Sequence, residues 1–393
     1  MIVGKVIESV KKGDQTIWFV LISLSVISLL SVYSSIRTLA FRVHDGNTEF
    51  YLAKHLSVLL FGLFIVFLVQ TVEHKSFSKW ANILLITSIL LLIYTLAFGS
   101  EINNAKRWIT LPVINLSFQT SDLAKLSLIM YTSKTLAQKQ GVIKNFKDGF
   151  LPIMLPIAIV CGLIMMENMS TALILLATNL VIMFLGRVNM KYVFLMIGLG
   201  VLVIGIVVLI SYLSPSQGRF HTWKNRIHDY IQSDPENVSY QVKHSNVAIA
   251  NGGVFKFSPG GCTQCNFLPE AYSDFIFSTI IEEYGLVGAA FVMFLYLLLL
   301  YRIIKIVQDS QRIFSALMAL GLGMSLVIQA FINMGVATSL FPVTGLTLPF
   351  VSMGGSSIWF NSIAIGIIIS VSRYIKSSTT NKSNLSPQTE LNV

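Results

Sequence analysis

A carboxylate and a proline lie just before one of the long apolar stretches of this chain. Asp274 belongs to segment 267–277, which reads Phe-Leu-Pro-Glu-Ala-Tyr-Ser-Asp-Phe-Ile-Phe, and an apolar run over 286–301 follows. Unpaired N–H groups at the start of a helix favour an anion, so Asp274 could be an N-terminal cap. It could equally be a functional acid, because an ionisable residue at membrane depth is costly unless it has a role.

A second group of polar residues follows Arg107. Asp122 comes directly after Thr120 and Ser121, which could cap a helix beginning near residue 121, and Lys125 follows three residues later. Lys125 would lie one turn inside that helix, so it either snorkels outward or faces a hydrated cavity. One interpretation is a capped helix with a snorkelling lysine. The other is a cationic phosphate pocket that contains both Arg107 and Lys125.

Two further segments combine polar residues with tight turns. Residues 166–172 read Met-Glu-Asn-Met-Ser-Thr-Ala, and Asn168 could simply cap the helix that follows. Residues 341–357 contain two prolines, three glycines and several hydroxyls, among them Ser352. Irregular backbone at membrane depth is tolerated only inside protein or around a wet cavity. Segment 341–357 therefore indicates either a substrate cleft or a structural re-entrant loop.

Membrane-spanning helices must position these residues. Apolar residues make up 54% of the 393-residue chain and charged residues only 12%, a composition typical of polytopic membrane proteins. A span needs about 20 predominantly apolar residues. The sequence predicts an all-α fold of ten transmembrane helices in one domain, 1–376, and no soluble domain. The spans are 16–36, 51–72, 78–98, 121–138, 149–166, 170–186, 190–213, 272–301, 313–336 and 353–375.

The distribution of Lys and Arg predicts the orientation of the chain. One side carries 17 of these residues and the short loops on the other side carry 4, so we expect both termini in the cytoplasm. Asp274 and Arg107 then face the outside. The same asymmetry explains much of the net charge of +10, and a nucleic-acid partner need not be invoked. Residues 377–393, rich in Ser, Thr and Asn, are interpreted as a disordered cytoplasmic tail.

The loop 214–271 between the seventh and eighth spans is the largest extramembrane segment. Residues 240–253 predict a short amphipathic helix on the outer membrane face, closed by a glycine. Its expected apolar face is formed by Val242, Val247, Ala248 and Ala250.

Two cysteines follow in the same loop. Cys262 and Cys265 form a C-x-x-C pair without a second pair or a histidine cluster, so we expect no metal site there. A disulfide and two free thiols both remain open.

Together these motifs resemble the SEDS family of peptidoglycan polymerases. The resemblance covers roughly residues 15–376 and agrees with ten spans and a large loop between helices 7 and 8. Around Asp274 and after Ser356 the sequence is more similar to the division branch of the family than to its elongation branch. The matching motifs are Arg107-Trp108, Gln119-Thr-Ser-Asp122-Leu-Ala-Lys125, Asp274-Phe-Ile-Phe, Glu282-Glu283-x-Gly285, Pro342-Val-Thr-Gly and Pro349-Phe-Val-Ser-x-Gly-Gly-Ser-Ser357.

The resemblance implies a glycosyltransferase that polymerises lipid II at the outer face of the cytoplasmic (inner) membrane, during septal wall synthesis. It implies a class B penicillin-binding protein transpeptidase and division regulators as partners. The family's essential acid maps onto Asp274. Asn168 stands where the family usually has an acid, so no role that needs a negative charge is expected there. The implied substrate-binding residues are Arg107, Asp122, Lys125, Asn168 and Ser352.

The chemistry of glycan polymerisation suits these residue types. A sugar hydroxyl on one lipid-linked molecule attacks the anomeric carbon of another, and a carboxylate must take the hydroxyl proton. Asp274 is the predicted base. Arg107 and Lys125 would offset the charge of the leaving pyrophosphate, with or without a divalent cation such as Mg²⁺ or Mn²⁺. The alternatives are a lipid II flippase or other transporter, the elongation-type polymerase, and a non-catalytic scaffold.

Overall fold

The computed structural model describes residues 13–43, 47–102, 105–111, 116–213, 230 and 239–385. Short strands β1 (Ser100–Ile102), β2 (Ala105–Leu111) and β3 (Leu116–Gln119) form one antiparallel sheet in that order. The remaining regular structure is helical. The α-helices are α1 (Gln15–Ser35), α2 (Arg37–Val43), α3 (Thr48–Val69), α4 (His74–Phe98), α5 (Thr120–Gln138), α6 (Leu151–Met165), α7 (Met169–Leu185), α8 (Met190–Leu213), α9 (Tyr240–Gly252), α10 (Ile276–Asp309), α11 (Ile313–Ala337) and α12 (Ser356–Leu385).

The predicted all-α polytopic fold is confirmed. A helix occupies each of the ten predicted spans, and seven helices in the described ranges are long and apolar enough to cross a membrane. Helix α7 and the first part of α8 are shorter apolar helices. Helix α5 is the least apolar of the ten, and it packs against α4, α6, α7 and α11. Because neighbouring helices cover most of its surface, α5 can carry hydroxyl and charged residues at this depth.

Helix α11 lies at the centre of the bundle. It packs against α5, α7, α10 and α12, and most of its side chains are buried. Polar residues on such a helix face protein and not lipid, which allows them to make specific hydrogen bonds. Gln329 and Asn333 are two such residues.

Helix α10 differs from its predicted span, 272–301. It runs for 34 residues from Ile276 to Asp309 and is broken at Gly285, where φ is 66° and ψ is −172°. The loop after α9 fills the break: Leu286 N–H donates to Gly253 O at 3.0 Å, and Ser258 N–H donates to Glu283 O at 2.9 Å. These bonds satisfy backbone groups that a broken helix would otherwise leave unpaired.

The loop 214–271 is described only at residue 230 and from residue 239 onward. The predicted helix α9 is present, and Gly253 with φ of 59° ends it. Helix α9 packs on α10 through the small residues Ser245, Ala248 and Gly252, and contact of its apolar side with the membrane stays a prediction. Val247 remains 39% exposed. A Cβ on Gly252 would lie 2.0 Å from the carbonyl oxygen of Ile281, so close packing and not hydrophobicity selects this face.

Two further expectations need correction. Residues 377–385, expected in the disordered tail, continue α12 to Leu385, and residues 386–393 lie outside the described ranges. No proline or glycine interrupts the helix after Gly366, whereas Pro387 follows its end. The sheet of β1 to β3 was also not predicted; its strands are three to seven residues long, too short to register as a clear pattern.

Candidate active site

Asp274 lies two residues before α10 and is partly exposed. Its Oδ1 accepts a hydrogen bond from Ser273 Oγ at 3.1 Å. Its Oδ2 faces Gly345, since a Cβ built on that glycine would lie 3.5 Å from this oxygen. Gly345 has a φ of 68°, a conformation that favours glycine. The carboxylate therefore lies against the irregular segment between α11 and α12, here called the re-entrant segment (residues 338–355).

Ser352 fastens the re-entrant segment to the residues before Asp274. Its Oγ donates to Ser273 O at 2.6 Å and accepts from Leu348 N–H at 2.7 Å. Next to it, Met353 N–H donates to Tyr272 O at 2.9 Å. Ser352 is only 1% exposed and its one proton is engaged. The structure thus gives Ser352 a positioning role, because its hydroxyl proton is already donated to Ser273 O and is not available to a substrate.

Asn333 is a part of the site that the sequence analysis missed. Its Nδ2 donates to Asp274 O at 2.8 Å and to Leu346 O at 2.6 Å. One turn earlier, Gln329 Nε2 donates to Thr347 O at 2.9 Å. The two side chains thereby hold the two backbone carbonyls that directly follow Gly345. A polar pair spaced by four residues within an apolar span was the available signal.

Lys125 is paired with the acid one turn before it. Its Nζ lies 2.7 Å from Asp122 Oδ1, and the two side chains are 12% and 4% exposed. Ser357 Oγ donates to the other Asp122 oxygen at 2.6 Å, and Lys125 Nζ donates to Gln329 Oε1 at 3.3 Å. Asp122, Lys125 and Gln329 border a cavity of about 20 Å³, room for roughly one water molecule. The charge of Lys125 is thus compensated within the protein.

Arg107 lies on β2 and borders a different and much larger cleft. This cleft has a volume of about 440 Å³ and is mostly apolar, with Arg107 and Asn168 among its polar residues. Arg107 Nε donates to Glu167 O at 3.2 Å, so the guanidinium is tied to the turn between α6 and α7. The predicted single pocket of Arg107 and Lys125 is not what the structure shows, because each cation lines its own cavity. The cleft is lined by Arg107, Asn168, Met169, Ser170, Leu173, Ile174, Ala177, Ile328, Ile332, Phe341, Pro342, Val343, Thr344 and Leu346.

Asn168 serves as the N-cap of α7, as the sequence allowed. Its Oδ1 accepts from Thr171 N–H at 3.3 Å, and the side chain is 5% exposed. An amide oxygen caps a helix as well as a carboxylate does. Asn168 therefore starts this helix without needing a negative charge.

Asp274 and the cleft are neighbours through the re-entrant segment. Residues 341–344 and 346 line the cleft, and Gly345 between them faces the carboxylate, with 3.5 Å between Oδ2 and the position of an added Cβ. Nearby, burial and then the negative charge of Glu270 raise the pKa of Tyr272, so its phenol stays protonated above its ordinary titration range. The site thus combines the carboxylic acid of Asp274, the cationic side chain of Arg107 and a large apolar cleft.

This fold and this site define a polytopic membrane protein that holds a carboxylate beside an apolar cleft. The chain belongs to the FtsW/RodA/SpoVE family of cell cycle proteins, whose model matches residues 14–377. The resemblance found in the sequence motifs is thereby confirmed.

Relatives and solved structures agree with this family. The chain is 34% identical over 355 residues to the probable peptidoglycan glycosyltransferase FtsW of Nitrosomonas europaea, covering 88% of this chain and 89% of that protein. The FtsW protein of Coxiella burnetii is 34% identical over 365 residues, with 90% and 95% covered.

Two solved structures are similar over nearly the whole chain. Rod shape determining protein RodA of Thermus thermophilus has a TM-score of 0.67 at 25% identity and covers 92% of this chain and 97% of its own. A chain from a peptidoglycan synthase complex, described for coordinated polymerization and crosslinking, has a TM-score of 0.73 at 27% identity, with 92% and 98% covered.

Proposed function

We propose that this protein is a peptidoglycan glycosyltransferase that polymerises lipid II into glycan strands during septal wall synthesis. The observation that carries the proposal is the placement of Asp274, which Asn333 of α11 holds beside the re-entrant segment that lines a large apolar cleft. Such a cleft suits the polyprenyl chain of a lipid-linked sugar, and Arg107 in its lining suits the diphosphate. The names of the FtsW relatives support the same activity.

In the proposed reaction, Asp274 acts as general base. Its carboxylate takes the proton from the 4-hydroxyl of one sugar as that oxygen bonds to the anomeric carbon of the other. The bond from the anomeric carbon to the diphosphate breaks, and the lipid pyrophosphate leaves. A single base suits inversion in a single displacement, in contrast to the paired carboxylates of most glycoside hydrolases.

Arg107 is the better placed of the two predicted cations for the leaving diphosphate. It borders the large cleft, and a guanidinium can bind phosphate oxygens through two parallel hydrogen bonds. Lys125 would have to leave Asp122 before it could bind phosphate, so we assign it to the support of α5 and α11.

A divalent cation such as Mg²⁺ or Mn²⁺ remains part of the proposal. Around Asp274, no group of three or more His, Cys, Asp or Glu ligands occurs in the described ranges. Mg²⁺ often binds through one or two carboxylates together with substrate phosphates. A single carboxylate such as that of Asp274 is enough for this pattern. The cation would then help to neutralise the leaving pyrophosphate.

The place and partners of the protein follow from the same proposal. We place it in the cytoplasmic (inner) membrane at the septum, with both termini in the cytoplasm and Asp274 at the outer face, as the Lys and Arg distribution predicts. A class B penicillin-binding protein transpeptidase is the proposed partner, supported by the similar chain from a peptidoglycan synthase complex. Division regulators are proposed from the family alone.

The test is polymerisation of labelled lipid II by the purified full chain, with and without the cognate transpeptidase and Mg²⁺ or Mn²⁺. We expect Asp274→Asn to lower the polymerisation rate by about 10²- to 10⁴-fold, the usual contribution of a general base. Asp309→Asn, an exposed acid at the other end of α10, is the matched control and should form glycan ladders like the wild type.

Two outcomes would contradict the proposal at different points. Polymerisation by Asp274→Asn at a rate near that of the wild type would refute the role of Asp274 as base. The glycosyltransferase activity itself would then still stand. Absence of ladders from the wild type, with the partner and both cations present, would favour transport of lipid II or scaffolding instead.

A further inference from the structure

Cys262 and Cys265 lie beside a buried carboxylate. The two cysteines form a disulfide between residues three apart in sequence, and both are buried. Glu282, from the first half of α10, is fully buried. One ligand atom of each residue, two sulfurs and a carboxylate oxygen, lie within 4.8 Å of one another.

Hydrogen bonds fix Glu282 in this position. One oxygen, Oε1, accepts from Thr263 N–H at 3.1 Å, Thr263 Oγ at 2.6 Å and Gln264 N–H at 3.2 Å. Oε2 lies 3.0 Å from Cys262 Sγ. The turn between the cysteines therefore wraps around a carboxylate that is held in a fixed position, and it brings sulfur next to that carboxylate.

The turn also aims a backbone donor at Cys262. The backbone N–H of Cys265 points at Cys262 Sγ at 3.2 Å. A donor in this position can support a sulfur that binds a metal. C-x-x-C is also a spacing with which zinc sites take two of their ligands, and a carboxylate can serve as a third.

We propose that Cys262, Cys265 and Glu282 form a binding site for a thiophilic divalent cation of the zinc class, open when the disulfide is reduced. Two thiolates exclude a preference for hard cations such as Mg²⁺. The three protein ligands leave one tetrahedral position, which water can fill. The sequence alone offered only the cysteine pair, because Glu282 is brought to it by the fold.

The redox and proton balance is simple. A phosphine or dithiol reductant supplies two electrons, and the disulfide takes them with two protons to give two thiols. Binding of the cation then displaces the two thiol protons. The site either carries a disulfide or binds a cation, and both states close the same turn.

The position of the site links it to the residues before Asp274. Cys262 and Cys265 pack in one apolar cluster with Leu268, Ala271 and Phe275, and Phe275 directly follows Asp274. The cation would thus hold the same turn that the disulfide holds.

The test uses the full chain in detergent, reduced with a phosphine that is then removed under anaerobic conditions. We expect titration with Co²⁺ to give a sulfur-to-cobalt charge-transfer band that saturates at one ion per chain. Zn²⁺ should bleach that band, and Zn²⁺ added to the reduced chain without Co²⁺ should release about two protons per ion. The oxidised chain should show neither signal. Since this readout needs no polymerisation, its failure and the failure of the proposed function are separate results.

Variants assign the ligands. Cys265→Ser should abolish the charge-transfer band of a two-thiolate site, and Glu282→Gln should weaken Zn²⁺ binding by at least about tenfold. Cys161→Ser removes the buried thiol of α6 and should change nothing. No band from the reduced wild type, or an unchanged band from the Cys262→Ser, Cys265→Ser double variant, would overturn the proposal. The wild-type proton release decides the matter if a ligand variant fails to elute as a single species.

Discussion

At the scale of single residues, the site depends on side chains that hold backbone carbonyls. Asn333 donates to the carbonyl oxygen of Asp274, and Ser352 donates to the carbonyl oxygen of Ser273. Both of these bonds go to backbone carbonyl oxygens. Their effect on the reaction would be geometric, because a displacement of about 1 Å at a reacting group can cost about 10²-fold in rate.

Asn333→Ala tests this geometric role. We expect kcat for lipid II polymerisation to fall by about 10- to 100-fold, since two carbonyls lose their donor and Asp274 is no longer fixed. KM for lipid II should change little, because the cleft keeps its lining. Asn251→Ala, an exposed asparagine on α9, is the control and should behave as wild type. An unchanged kcat, or a rise in KM as large as the fall in kcat, would refute the positioning role.

Asp122→Asn tests the buried ion pair with Lys125. Removal of one partner leaves an uncompensated charge in a poorly hydrated site, which costs about 3–5 kcal/mol. We therefore expect a clear drop in the temperature of thermal unfolding in detergent. The control is Glu73→Gln, whose partner Lys75 lies 3.4 Å away with both side chains at least half exposed; such surface pairs contribute less than about 1 kcal/mol. Equal unfolding temperatures for the two variants would show that the Asp122 pair is not desolvated.

At the scale of elements, the break in α10 divides this helix into two parts with different neighbours. The first part carries Glu282 and Glu283 and contacts the loop after α9. The second part runs from the break to Asp309 as a regular apolar helix. Residues that follow Asp274 can therefore be placed by the loop, independently of the tilt of the membrane-spanning part.

Gly285→Ala should destabilise this arrangement. The backbone at Gly285 adopts a conformation found almost only in glycine, and the added Cβ would lie 2.7 Å from Val254 O. We expect a loss of about 1–3 kcal/mol in the free energy of unfolding, measured as a lower unfolding temperature. Gly162→Ala is the matched control, because no atom lies within 4 Å of the position that its Cβ would take and helical alanine is favoured over glycine. Equal effects of both changes would mean that the break tolerates a side chain.

The sequence predicts the helices of this protein better than their contacts. Lipid demands long apolar runs, so all ten spans were recognisable, and Asp274 was recognisable as a carboxylate just before one of them. The separation of Arg107 from Lys125 was not recognisable in the sequence, because it depends on how β2 packs relative to α5. The break at Gly285 also escaped prediction, since isolated glycines are common within apolar helices.

At the scale of the whole molecule, the last part of the chain completes the first. Asp14 forms an ion pair with Arg302, and Ser28 Oγ donates to Val351 O at 2.7 Å while lying 2.7 Å from His55 Nε2. Arg373 also donates to the backbone of the α3 terminus, at Gln70 O, with a distance of 3.0 Å. Polar groups placed early in the sequence thus have partners more than 200 residues later.

This arrangement has a consequence for biosynthesis. While the ribosome is still making residues before 300, Ser28 has only His55 and Asp122 has only Lys125 as a partner, because Val351 and Ser357 do not yet exist. Incompletely paired polar groups are costly in hydrocarbon, so the half-made protein should be less stable in the membrane and more open to quality-control proteases. Arrival of α12 removes that exposure, and a nascent chain that stalls before it should be degraded even though most of its helices are already inserted.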